Sequence, residues 1–385
     1  MTEDGDPLLR RRLLALLAGN LIVGVNLHIV AGLLDQIAAS LGVSIARAGL
    51  LISAFAVASF VGAPLLATLG SRIDRRRLLT ATMLVCAAAN LLGCLSQTYT
   101  GLLLCRLLAA VTSAVFTPQA AATLGVLVPE RQRPAAMSFI MLGWSLASVL
   151  GLPLGVLVGQ HFGWRAALTG IAAGAAAAAW AQWRSLPDAL YVPPLNLQRW
   201  GEVLRNPALM LLIGSVLALS VGNQAVFSYL ATAVKTLHRE AGAGLVSSLF
   251  LVHGLASALA NAGAVILLRR LRPPRLAQFW ACACIAALAP WPLLAGSVPA
   301  LFALQLLWSL GLAGIPATQQ ARLAQAAPAL AAASIALNSS VAYLGQALGT
   351  SIGGLAWNLA GPRYLPWAAL PALLLGLALS RRARG

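Results

Sequence analysis

Apolar blocks of about twenty residues or more recur along almost the whole of this sequence, and they leave such a chain few ways to fold. Runs such as 13–34, 47–69 and 78–97 reach the ~20 apolar residues that a helix needs to cross a hydrocarbon core about 30 Å thick. Backbone polar groups in lipid find no water, so these blocks are predicted to be helices. A β-barrel would show alternation in period two, and these runs are continuously apolar. Composition agrees: 60% of the 385 residues are hydrophobic and 9% are charged. A soluble domain carries roughly a quarter charged residues and could not cover its surface with this chain. The expected class is an all-α polytopic membrane protein.

The net charge of +17 suggests a nucleic-acid protein until the charges are placed. They fall in the loops between apolar blocks, where they set orientation, so no nucleic-acid partner is expected. Of the 26 basic residues only Lys235 is a lysine, which we attribute to coding bias. Cys86, Cys94, Cys105, Cys282 and Cys284 all sit inside apolar blocks and are expected as buried thiols, not metal ligands. The run after Arg10–Arg12 extends to Leu34, longer than the 7–15 apolar residues of a signal peptide, and is expected to be a retained first span.

Twelve spans are predicted near 13–34, 47–69, 78–97, 100–125, 135–159, 164–184, 207–234, 244–268, 275–295, 298–321, 330–357 and 363–380. Arginines crowd the loops on one side, at Arg72, Arg75–Arg77, Arg131, Arg133 and Arg269–Arg275, and in both tails. The positive-inside rule places that side, both termini and the linker in the cytoplasm. The halves also repeat. Arg72 and Arg270, Pro118 and Pro316, Gly151 and Gly349, and Gly155 and Gly353 are all separated by 198 positions. The expected plan is therefore two pseudo-symmetric six-helix bundles, 1–185 and 207–385, with a cytoplasmic linker over 186–206. Parallel repeats of this kind are the plan of a transporter that holds its substrate between them at mid-membrane.

Four local patterns carry a family resemblance. Between spans two and three stands Gly70-Ser71-Arg72-Ile73-Asp74-Arg75-Arg76-Arg77. Span four contains a lone Arg106, with Ser113 and Thr117 on its face. Span five contains Gly151, Pro153, Gly155 and Gly159. Span eleven runs Asn338-Ser339-Ser340 to Tyr343-Leu344-Gly345-Gln346-Ala347-Leu348-Gly349, with Gly353 beyond. Together they make the chain similar to the major facilitator superfamily, of the twelve-span drug/proton antiporter type, and closest to arabinose-efflux-permease-like bacterial exporters.

That resemblance implies roles. Gly70, Asp74, Arg75 and Arg77 match a cytoplasmic latch in which the aspartate sits by a helix N-terminus and arginines of the opposite half; Arg77 stands where a glycine is usual. The alternative is a loop that only sets topology. Arg106 matches an arginine that lines the cavity and takes part in proton coupling. A charge at mid-helix costs roughly 2.5–3.5 kcal/mol on insertion scales, so it should face an interior or snorkel to an interface. Gly151, Pro153, Gly155 and Gly159 resemble an antiporter motif, and Gly345, Gly349 and Gly353 are expected as its packing counterpart. Small residues four apart let helices approach closely.

The residues alone suggest more. His28 and Asp35, seven apart, would share a face of the first span, with Asn20 and Gly24 on the same stripe. Asp35 reads equally as a proton site or as a helix end in periplasmic water, and His253 as a further proton candidate or a core histidine. Asn26, Ser113, Thr117, Asn223, Gln224, Phe227, Trp308, Gln319, Asn338, Tyr343 and Gln346 are the candidate substrate cavity. No metal cluster, nucleophile–base set or phosphate loop points to an enzyme, and no cofactor is expected. The expected function is proton-coupled efflux of small organic solutes by alternating access, from a monomer in a bacterial inner membrane whose partners are substrate, protons and lipids. A nutrient symporter and a non-transporting scaffold or sensor are the alternatives.

Cysteines introduced at Thr2 and at Asn196 of the linker should resist impermeant thiol reagents in intact cells. Labelling of either would overturn the orientation.

Overall fold

The computed structural model describes residues 7–69, 73–191, 198–238 and 242–383, with the side chains of 64, 67–69, 134, 198–199, 242–243 and 265 left aside. Gly70 and Arg72 of the glycine–aspartate loop, the linker around Pro193, and Arg239 lie outside them.

All regular structure among the described residues is helical. The first apolar block forms α1 (Pro7–Gly32) and a short α2 (Leu34–Ser40), where the sequence predicts one helix. Leu33, at φ −121° and ψ 14°, separates them. His28 and Asp35 therefore do not share one continuous helical face, and that expectation is corrected. Asp35 falls instead in the first turn of α2, where the helix dipole favours a negative charge. Helices α3 (Ile45–Leu69), α4 (Arg75–Leu95) and α5 (Tyr99–Leu127) follow. The fifth span is α6 (Arg133–Leu146), a π turn over Ala147–Gly151, and α7 (Leu152–Phe162); α8 (Trp164–Ser185) is the sixth. Pro153 explains the π turn. It has no N–H for the carbonyl of Val149, and Leu152 N bonds five residues back to Ala147 O.

A short α9 (Gln198–Arg205) precedes α10 (Pro207–Phe227), which breaks at Ser228 and Tyr229 before α11 (Leu230–Leu237). Then come α12 (Gly242–Leu267), α13 (Pro273–Leu288), α14 (Trp291–Leu294), α15 (Val298–Ala326), α16 (Ala331–Ala360) and α17 (Leu365–Arg382). Spans one and seven, at matching places in the repeat, are thus both broken near their ends. The fourth and tenth spans, α5 and α15, are both 29 residues long and carry Pro118 and Pro316 inside them.

Among the described residues, ten stretches are long and apolar enough to cross a bilayer by length and composition. The alanine-rich α8, of 22 residues, and α17, of 18 residues ending in Arg381 and Arg382, complete the twelve. At ~1.5 Å per residue each comes close to the thickness of the hydrocarbon core.

The chain forms two compact units. One comprises Met1–Ile29 and Val61–Leu195, and the other Val30–Phe60 and Asn196–Gly385. In the first, α4 packs against α5 and α8, and α7 against α8. In the second, α10 packs against α16 and α17, while α13 packs on α15 and α17. Its 30–60 segment is tied to the later helices. Ser53 Oγ donates to Ala347 O at 3.0 Å, and the buried Tyr229 ring lies against Gly49, Gly353 and Gly354 while its hydroxyl donates to Thr350 O at 3.0 Å.

Glycine rows set the closest approaches. A methyl group placed on Gly345 would lie 2.9 Å from Leu217 O, and one on Gly349 would overlap the Val221 carbonyl. One on Gly353 would lie 2.9 Å from the Tyr229 ring. In the first unit Gly143, Gly151 and Gly155 face Leu21, Val25 and Ile29 of α1 in the same way. Gly349→Leu should therefore lower the thermal midpoint of the detergent-solubilised protein, costing about 1–3 kcal/mol or more through overpacking. Gly170→Leu, at a position with nothing within 4 Å, should leave it nearly unchanged. Equal midpoints for the two variants would refute the assignment.

Candidate functional site

In the first unit the ionisable centre is Arg106 on α5, only 2% exposed. Its Nη1 donates to Asn26 Oδ1 at 3.1 Å and its Nη2 to Asn26 O at 3.0 Å, so α1 receives the guanidinium through both a side chain and a main-chain carbonyl. Asn26 Nδ2 reaches back to Thr112 Oγ1 on α5 at 3.5 Å. The side chain turns into the protein and does not snorkel. One helical turn or more away, Asn20 Nδ2 donates to Ile140 O at 3.0 Å and its Oδ1 accepts from Thr117 Oγ1 at 2.8 Å. Thr117 also accepts from Trp144 Nε1 at 3.3 Å. His28 Nδ1 donates to Gly24 O at 3.1 Å and its ring meets Trp144 edge-on, centroids 6.5 Å apart. Ser113 is buried, and its hydroxyl has no hydrogen-bond partner.

In the second unit Asp35 of α2 is paired with Lys235 of α11, Nζ to Oδ2 at 2.8 Å, both side chains about a quarter exposed. The other carboxylate oxygen, Oδ1, is buried without a hydrogen-bond partner. Both residues lie on the short helices that follow the breaks in spans one and seven.

A second cluster joins α10, α12 and α15. Trp308 Nε1 donates to Asn223 Oδ1 at 2.7 Å, and Asn223 Nδ2 to Leu219 O at 2.9 Å. Phe227 packs against Trp308 and His253, with ring centroids 6.3 and 5.1 Å away. His253 Nδ1 and Ser309 Oγ lie 2.8 Å apart, and Gln305 Nε2 donates to the same hydroxyl at 3.0 Å. Gln305 Oε1 is fully buried with no partner.

The expected cavity residues divide accordingly. Asn223, Phe227 and Trp308 are core of the second unit, as is Gln319, whose Nε2 donates to Leu212 O at 2.8 Å. Gln224 is half-buried and donates to Ser228 Oγ at 3.0 Å. Tyr343 and Gln346 are also half-buried, and Asn338 Oδ1 lacks a partner.

The described part of the glycine–aspartate loop forms a clasp within the first unit. Asp74 caps α4, its Oδ1 accepting from Arg77 N at 3.1 Å. Its Oδ2 accepts from Leu190 N at 2.7 Å, and Arg75 N donates to Leu190 O at 2.8 Å. Arg76 pairs with Asp188 and stacks over Trp183, 4.2 Å from its centroid. Ala189, beside Leu190, holds a positive φ of 59°, a left-handed geometry costly for alanine. The aspartate does sit at a helix N-terminus, that of α4, and its other partner is the chain that follows α8.

Sequence reasoning missed three of these partners: Lys235 for Asp35, the 188–190 segment for Asp74, and Gln305 with Ser309 for His253. The solitary lysine was the signal for the first. Gln305 and Ser309, one turn apart inside an apolar span, were the signal for the last.

A family profile described as Major Facilitator Superfamily matches residues 16–350. The chain belongs to that superfamily. It is 34% identical over 282 residues to a chloramphenicol resistance protein of Streptomyces lividans, covering 71% of this chain and 69% of that one. It is 31% identical over 250 residues to the uncharacterized MFS-type transporter YtbD of Bacillus subtilis (strain 168), covering 65% and 63%. Among solved structures it matches a bacterial homolog of the human lysosomal transporter Spinster in an inward-facing, unoccupied conformation, at TM-score 0.76 and 16% identity over 98% of this chain and 95% of that one. It also matches the human organic anion transporter MFSD10 (TETRAN), at TM-score 0.69 and 19% identity over 98% and 100%. These likenesses carry the fold: twelve helices in two bundles. The chain is a multi-pass membrane transporter.

Asp74→Ala removes both the cap and the Leu190 acceptor. It should cost about 0.5–2 kcal/mol for the cap, with about 1–3 kcal/mol more if the freed N–H stays buried, and should speed trypsin cleavage after Arg184. Asp74→Asn keeps a capping oxygen but turns an amide donor towards the N–H of Leu190 or of Arg77, so its effect should be intermediate. Wild-type cleavage rates in both variants would rule out the clasp.

Proposed function

We propose that this transporter exports small uncharged or anionic organic solutes, amphenicols among them, across a bacterial inner membrane in exchange for protons. It works by alternating access of bundles 1–185 and 207–385 around a central site, with the 186–206 linker and both termini in the cytoplasm. The observation that carries the direction of transport is the 34% identity with a chloramphenicol resistance protein over 71% of this chain. The site chemistry supports the solute class. Among the described residues Asp35 is the only carboxylate on helices α1–α8 and α10–α17, while amide and aromatic side chains such as Gln224, Asn338, Tyr343 and Gln346 remain as anchors. Such a set suits an uncharged aromatic amide better than an organic dication.

Coupling needs a group that loses and regains a proton, which arginine cannot do. Asp35 and His28 fill that role in this proposal. Lys235 is the counter-charge that Asp35 abandons on protonation, and Arg106 is the fixed charge held by Asn26. Gly70, Asp74, Arg75 and Arg77 act as the latch, and the glycine rows as the seams along which helices move.

Everted vesicles under an acid-inside gradient should accumulate labelled chloramphenicol. Asp35→Asn or His28→Ala should flatten the pH dependence while exchange without a gradient survives, and Arg106→Ala should damage both. Full gradient-driven accumulation in the Asp35→Asn/His28→Ala double variant would sink the coupling assignment.

A further inference from the structure

On the surface of the first unit a groove of about 500 Å³ runs between α4 and α8. Small side chains, Ala81 on α4 and Ala176 on α8, give it depth, and Leu84 and Trp180, 53% and 67% exposed, form its rims. Such a floor takes up an alkyl chain, because nothing along it offers a hydrogen bond.

One end of the groove differs. Arg77 lines it, exposed, its guanidinium paired with no described residue. Two more guanidinium groups flank this end: Arg76 over Trp183 at 4.2 Å and Arg184 over Trp180 at 5.9 Å. The nearby carboxylates are occupied, Asp74 by Arg77 N and Leu190 N, and Asp188 by Arg76. A spare cation at the head of an apolar slot, with two further arginines beside it, matches a phosphodiester with an acyl chain. A positively charged headgroup has no carboxylate to meet there. Paired tryptophans and arginines are also the side chains that settle at the interfacial depth of a bilayer.

We propose that the α4–α8 groove is a binding site for an anionic phospholipid, its phosphate held by Arg77 and one acyl chain lying along Ala81, Leu84 and Ala176. Free phosphate would gain nothing from the apolar floor. The site adjoins the Asp74 clasp through the first turn of α4, so bound lipid and clasp share one piece of backbone.

The test is native mass spectrometry of the full-length, delipidated protein offered phosphatidylglycerol and phosphatidylcholine in equal amounts. Phosphatidylglycerol should be retained preferentially. Arg77→Gln should cut that retention about fivefold, the effect of one arginine near an anionic headgroup. Ala176→Trp, which fills the floor and leaves the charges in place, should reduce it as well. Arg270→Gln, an exposed charge in another loop, should not. Equal retention of the two lipids, unchanged retention in Arg77→Gln, or an equal loss in Arg270→Gln would overturn the site. Displacement of phosphatidylglycerol by millimolar inorganic phosphate would also overturn it, because the groove would then be reading phosphate without the chain.

Discussion

A polar group placed in hydrocarbon has no water to return to, and the arrangement of this transporter follows from that constraint. Arg106 survives at the depth of a span because Asn26 supplies both an amide oxygen and a carbonyl. Asn20 stays buried because Ile140 and Thr117 engage both ends of its amide. Asn223 is held between Leu219 and the Trp308 indole. In each case the polar side chain ties its helix to a neighbour, so the groups that make the spans costly to insert also specify which helices meet.

The same constraint explains what could be read from the sequence. Spans are legible because hydropathy over twenty residues is a local property, and the repeat is legible because prolines and glycines recur at a fixed offset. Seam glycines are legible too: Gly345, Gly349 and Gly353 lie on α10 at the spacing their positions imply. Pairings are not legible in this way. Arg106 and Asn26 are 80 positions apart, and Asp35 and Lys235 are 200 apart. Helical periodicity says which face a residue occupies, but not which helix that face meets. The breaks were hidden for another reason. Pro118 and Pro316 sit inside unbroken helices, whereas spans one and seven are interrupted at Leu33 and at Ser228 and Tyr229, where no proline stands; the ninth span does break at one, Pro290.

Breaks at matching places in spans one and seven leave α2 and α11 as short separate helices. Asp35 and Lys235 join these two pieces, so a change of charge at Asp35 acts on elements already detached from the long rods of α1 and α10. A continuous helix would spread such a change along its whole length.

The π turn at Ala147–Gly151 gives the two repeats different phases. A π turn takes in one extra residue, and one residue corresponds to ~100° of helical rotation. Gly143 meets α1 before the turn and Gly151 and Gly155 meet it at and after the turn, eight and four positions apart, whereas the matching seam in α16 keeps a strict interval of four with no extra residue. The fifth span therefore has a point where its lower and upper halves can be wound independently, and the eleventh does not. Removing one residue there would restore a regular helix and turn every side chain beyond it, Gly155 first, away from its place on α1.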